Sequence, residues 1–225
     1  MKNKSYIGTA FIILVFGIYA IPKIVDRINN GNVVKGDRLN IEGAVINAKS
    51  DLMTIGKAPQ FSLINQDNQT ISNSNYKGKV FVVEFFFSTC PSICPIMNRN
   101  MKEVQETFAS NSNFGIVSIT INPENDTPEV LKKHAQLIGA VHNNWNFLTG
   151  DKTVIFDIAN KGFNLYAGEN KNVQGGFEHS GLFALVDKNG DIRCRKDEFG
   201  NPIIYYDGLE EKGITAIKQD IAKLL

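Results

Sequence analysis

Read for polarity, the chain opens on an uncharged run from Tyr6 to Ile21, with Lys2 and Lys4 before it and Pro22 and Lys23 after it. A spanning helix wants about 20 apolar residues, with about 17 as the lower limit; the run reaches that length if Lys23 extends its stem toward the headgroups. Residues 1–25 therefore predict a single N-terminal transmembrane helix. A cleaved signal peptide shares the basic start and apolar middle, although Ile18 fits poorly three positions before a cut after Ala20. Residues 26–57 are polar and read as a spacer, with one short strand over Leu39 to Ile46.

From Ala58 the pattern alternates. Val80 to Phe87 is a nearly unbroken β-branched and aromatic run, the mark of a central strand buried on both faces, and Phe114 to Ile121 predicts a second. Phe61 to Ile64 predicts a short strand before the turn Asn65-Gln66-Asp67-Asn68. Pro95 to Phe108 has helical spacing, with Ile96, Met101, Val104 and Phe108 to one side. Thr127-Pro128-Glu129 opens another helix with a hydroxyl cap, a proline at the first helical position and an acid, ending at Gly139. Trp145 to Leu148 predicts a strand and Asp151 to Lys161 a helix. Leu182 to Val186 and Ile192 to Arg195 form a hairpin across a turn containing Asn189-Gly190, and Gly213 to Leu225 closes the chain as an amphipathic helix. The order β-α-β-α-β-α-β-β-α predicts an α/β, thioredoxin-like fold over residues 58–225, with a central mixed sheet flanked by helices.

Lys plus Arg is 24 against 23 for Asp plus Glu, a balance without the basic excess of a nucleic-acid binder. Three cysteines are too few for a disulfide scaffold, so their placement carries the interest. Cys90-Pro91-Ser92-Ile93-Cys94-Pro95 follows the first central strand, where the next helix offers unpaired N–H groups and the positive end of its dipole. Thiolates are stabilised there, and a thiolate is both redox nucleophile and metal ligand. Thioredoxin-type reductases space their cysteines by two residues; here there are three. The wider bite favours coordination without forbidding a disulfide, so dithiol redox work and metal binding both stand.

Two thiolates holding a soft ion want a third ligand, and imidazole suits copper and zinc. His134 reads as solvated helix surface and His142 as a plain loop residue. His179 precedes the strand from Leu182, in the loop that faces the cysteine helix in this fold, where reductases carry a cis-proline. It is the expected third ligand. Met97 and Met101 read as helix packing, and Cys194 as an unpaired strand residue.

With Ala58-Pro59-Gln60-Phe61-Ser62-Leu63, Lys77-Gly78-Lys79, the double Cys-Pro motif, Ser118 to Pro128, Asn144 to Gly150 and His179-Ser180, the chain resembles the Sco/SenC family of membrane-anchored, copper-binding thioredoxin-like proteins. The resemblance implies one copper ion, as Cu(I) and also Cu(II), on Cys90, Cys94 and His179. It also implies delivery to the copper-site subunit of cytochrome c oxidase. The expected location is a bacterial inner membrane, with the domain on the extracytoplasmic side; the copper donor or thiol reductant is not identified. A thiol-disulfide oxidoreductase using Cys90 and Cys94 as its dithiol, without physiological metal, is the rival. The family commonly has Asp where this chain has Asn122, which is left out of the expected site.

Overall fold

Uninterrupted apolar sequence puts Val80–Phe86 (β4) and Phe114–Thr120 (β5) at the centre of the sheet, parallel and with every residue buried. The computed structural model describes residues 5–29 and 52–225, and the chain divides into compact units over 1–43 and 44–225. In the first unit Ser5–Asn29 is one helix (α1) with Pro22 inside it. Phe11, Ile13, Phe16 and Ile18 are exposed along it, and the Lys23 ammonium donates to the Tyr19 hydroxyl one turn back (2.9 Å). Among the described residues no helix is long and apolar enough to cross a membrane, so the spanning helix expected within 1–25 is not among the structural findings. The expected strand over Leu39 to Ile46 lies outside the described residues.

The second unit holds Met53–Lys57 (β1), Ser62–Asn65 (β2), Thr70–Ser72 (β3), β4, Cys94–Thr107 (α2), β5, Pro128–Ile138 (α3), Trp145–Thr149 (β6), Lys152–Asp157 (α4), Ala167–Glu169 (β7), Phe177–His179 (β8), Leu182–Val186 (β9), Asp191–Lys196 (β10), two two-residue strands at Pro202–Ile203 (β11) and Tyr206–Asp207 (β12), and Glu211–Leu224 (α5). The main sheet runs β1-β10-β9-β4-β5-β6-β2-β3, with β4, β5 and β6 parallel and the other pairings antiparallel; β7 and β8 form a separate hairpin. This is the expected thioredoxin-like mixed sheet. The helices bury one face each, Met97, Met101 and Val104 on α2 and Ile214, Ile217 and Ile221 on α5. The α3 cap is as read from sequence: Thr127 Oγ1 accepts the Val130 N–H (3.4 Å), and Gly139 ends the helix at φ 75°.

The sheet also takes in β1, from the stretch read as the end of the spacer. Arg193, 2 % exposed, donates to Asp187 Oδ2 (2.7 Å) and to the carbonyls of Leu52 (2.8 Å) and Met53 (3.2 Å). A buried guanidinium needs acceptors for its donors, and the chain entering the domain supplies two of them.

Candidate metal centre

The site lies at the carboxyl end of β4, beside its parallel neighbour β5, where open α/β sheets place their ligands. Phe87 to Ile93 form a tight loop, and α2 begins at Cys94 itself. Cys90 therefore sits in the loop and only Cys94 on the helix, so the two do not share a helical turn. No side chain caps the start of α2. The Cys90 sulfur lies 3.7 Å from the Ser92 hydroxyl, and the backbone N–H groups of Cys94 and Ser92 help to lower its pKa, as unpaired donors at a helix start do for an anion.

His179 arrives from the opposite side on β8, the second arm of a hairpin that short, aperiodic strands kept out of the sequence reading. Its ring meets Phe87 edge-on (6.0 Å between centroids), and Phe177 packs on the Phe87 ring in turn (5.6 Å). Gly175, at φ 94°, lets this arm come close: a Cβ there would lie 3.0 Å from the Phe87 ring and 3.3 Å from Pro91. His179 Nδ1 lies 3.0 Å from the Ser180 carbonyl, which can only accept, and Nε2 lies 3.2 Å from Cys94 Sγ. In the neutral ring Nδ1 thus carries the proton and the Nε2 lone pair faces the sulfurs.

Cys90 Sγ, Cys94 Sγ and the His179 ring nitrogen all lie within 4.8 Å of one another, each residue buried. A trigonal ion with metal–sulfur bonds of about 2.3 Å separates its donors by about 4 Å, so the trio closes on one ion with small adjustments. The thiols are free and unequal. The Cys94 thiol, as hydrogen-bond partner, holds Cys90 far below an ordinary thiol; Cys94 is driven up by that same bond and then by burial. Beneath them is a carboxyl that the sequence reading passed over. Glu84, 1 % exposed in mid-β4, accepts from Ser118 (2.6 Å), which in turn accepts from the Trp145 indole (2.9 Å). Its other oxygen is buried without a hydrogen-bond partner. Burial pushes this carboxyl up to about 7, against the opposing pull of Ser118 and of His179.

Residues 52–211 match the model of the SCO1/SenC family. The chain belongs to that family. It is 34% identical over 138 residues to the SCO1 protein homolog of Bacillus subtilis (strain 168), covering 59% of this chain and 69% of that one. The structure resembles that of BsSco, described as a Sco-family cytochrome c oxidase assembly protein with a disulfide switch, at TM-score 0.64 and 29% identity, over 76% of this chain and 95% of that one. Bradyrhizobium japonicum ScoI, solved with copper bound, shares the fold at TM-score 0.59 and 21% identity, over 75% of this chain and 99% of that one.

Around these three residues of the SCO1/SenC chain the remaining candidates fall into place. Met97 and Met101 are fully buried packing residues, and Cys194 is buried in β10, where burial pushes its thiol up to about 11. Asn122 acts through its backbone, its carbonyl accepting from the N–H groups of Asn125 and Asp126. His142 is buried in its loop, its Nδ1 accepting from the Asn144 N–H (3.1 Å). His134 is not solvated surface: it stacks on Phe86 (5.3 Å) beside Asn98, because that side of α3 packs toward the sheet. Burial lowers its pKa.

Asp126 is the main residue missed. It is fully buried and accepts from the Ser88 N–H (3.0 Å) and hydroxyl, the Thr120 hydroxyl and the Asn125 amide (2.8 Å), so it holds the loop that leads to Cys90. Asp126→Asn puts a donor among donors. The expected result is a loss of about 2 kcal/mol of stability, read as a lower midpoint in urea unfolding, together with weaker metal retention; an unchanged midpoint would show that the loop holds itself.

Proposed function

We propose that the chain is a membrane-anchored metallochaperone whose cargo is one copper ion, held by Cys90, Cys94 and His179 and passed to the copper-site subunit of cytochrome c oxidase. The observation that carries this reading is the meeting of two sulfurs and one free imidazole lone pair within 4.8 Å, a soft donor set suited to Cu(I). Family membership, the copper bound to the ScoI fold-mate and the oxidase-assembly description of BsSco support the cargo and its destination. The uncharged run Tyr6 to Ile21 and the exposed apolar side chains of α1 support anchoring to a bacterial inner membrane, with the second unit on the extracytoplasmic side. In this scheme Cys90 meets the ion as a ready thiolate. Cys94 gives up its proton as the ion binds, and Ser180 holds the histidine tautomer that keeps Nε2 open.

Anaerobic titration of the reduced full chain in detergent with Cu(I) tests the proposal. One ion per chain is expected, lost after alkylation of Cys90 and Cys94, the two thiols that line a cleft, whereas Cys194 is fully buried in β10. Binding that survives alkylation, or no binding, would overturn it.

The unequal acidity of the cysteines also favours a dithiol activity. Cys90 thiolate would attack a target disulfide, forming a mixed disulfide and releasing one target thiolate. Cys94, once deprotonated, would then attack the Cys90 sulfur, closing the intramolecular disulfide and freeing the second thiolate. This reading needs no metal and survives the loss of His179.

A further inference from the structure

Two clefts lead to the sulfurs, and they differ in charge. One, of about 480 Å³, is lined by Phe87, Tyr166, Phe177, Glu178 and His179 and carries an acid. The other, of about 400 Å³, lies between α2 and α3; both sulfurs open into it beside Arg99, Lys102, Leu137 and Ile138, and no carboxylate lines it. Neither Arg99 nor Lys102 has an ion-pair partner among the described residues, whereas the nearby acid Glu103 of α2 is paired away with Lys218 of α5. Lys102 lies against Gly139, the αL residue ending α3, where a Cβ would come 3.4 Å from its ammonium. Around that end the surface is apolar: Leu137, in the last turn of α3 and lining the cleft, is 84 % exposed, and Val141, two residues past Gly139 at the cleft's edge, is 79 % exposed. Two unneutralised cations beside exposed aliphatic side chains, at the mouth of a reactive pair, form a surface that a carboxylate-bearing, aliphatic segment complements.

We infer that the cleft between α2 and α3 is the docking surface for an acidic, aliphatic polypeptide segment of the protein that exchanges metal or disulfide with Cys90 and Cys94. The inference rests on the proposed function for what is exchanged. Its contacts are Arg99 and Lys102 to carboxylates and Leu137 and Val141 to aliphatic side chains.

The test requires neither metal nor thiol chemistry, so its failure is separate from that of the copper titration. The isotope-labelled full chain in detergent is titrated with acetyl-Leu-Asp-Leu-Glu-Leu-amide and, separately, with acetyl-Leu-Lys-Leu-Lys-Leu-amide, following amide NMR shifts. The acidic peptide is expected to move amides around residues 99–102 and 137–141 and to bind at least about tenfold more tightly than the basic one at low salt, with the margin shrinking as salt rises. The double charge reversal Arg99→Glu with Lys102→Glu should cancel or invert the preference. Leu137→Ser with Val141→Ser should weaken binding of the acidic peptide while keeping its preference over the basic one. Equal affinity for the two peptides, no binding of either, shifts mapping to Phe177 and Glu178, or a preference indifferent to the charge reversal would each overturn the inference.

Discussion

Replacing His179 with alanine should lower Cu(I) affinity by about two to three orders of magnitude while leaving the dithiol able to close. The size follows from ligand counting. Structural zinc sites with four protein ligands hold their ion with roughly 10–16 kcal/mol, or about 2.5–4 kcal/mol per ligand, and each 1.4 kcal/mol is about tenfold in affinity. His179 supplies one donor of three, pre-aimed by its bond to Ser180 and by its edge contact with Phe87. Competition with a Cu(I) chelator measures the loss, and circular dichroism checks that the loss of the ring has not collapsed the β7–β8 hairpin. The same variant separates the two readings, because thiol–disulfide exchange needs only Cys90 and Cys94. Unchanged copper affinity in a folded variant would remove His179 from the site and leave the redox reading in possession.

The site was more legible in the sequence than its support. Repeated Cys-Pro at the end of an apolar strand announces chemistry because packing alone has no use for that pattern, and His179 follows once the fold order places its loop opposite the cysteines. The central strands and the Thr127-Pro128 helix start were legible for a similar reason: period, cap and turn residues are local signals. Elements specified by distant partners were not. β1 is in the sheet because Arg193, far along the chain, binds the carbonyls of Leu52 and Met53. The three-residue strands β7 and β8 show no periodicity, and only the adjacent Gly175-Gly176 hinted at a close approach. His134 looked solvated within Lys132-Lys133-His134, yet the helix turns that one side chain onto Phe86. Asp126 and Glu84 are ordinary letters in their segments, and their meaning comes from what folds around them.

Glu84→Gln should make the chain more stable relative to the parent at pH 8 than at pH 5, by about 2 to 3 kcal/mol, part of the full penalty being already in place at pH 5. Glu84 ionises at about 7 in the folded chain, against 4.5 as its ordinary value, a difference of about 2.5 units at 1.36 kcal/mol each. The raised folded value means that the native state holds the proton more tightly than the unfolded chain does. The carboxyl therefore costs nothing extra below pH 4.5, weakens the fold progressively as pH rises from 4.5 to 7, and imposes a constant penalty above that. Glutamine removes the titration and keeps an oxygen to accept from Ser118, while its amide nitrogen faces the buried position where the second oxygen now has no partner. That unpaired donor costs roughly 1–3 kcal/mol, but at both pH values alike, so it cancels in the comparison. Urea unfolding of parent and variant between pH 5 and 8, on metal-free reduced chain, gives the difference directly. A gap between the two that stays flat across this range would mean that Glu84 is already ionised in the fold, its charge met by His179 or by solvent. A gap that widens with pH would instead place a neutral carboxyl under the sulfurs near neutrality, where it spares them a third negative charge when both are thiolates.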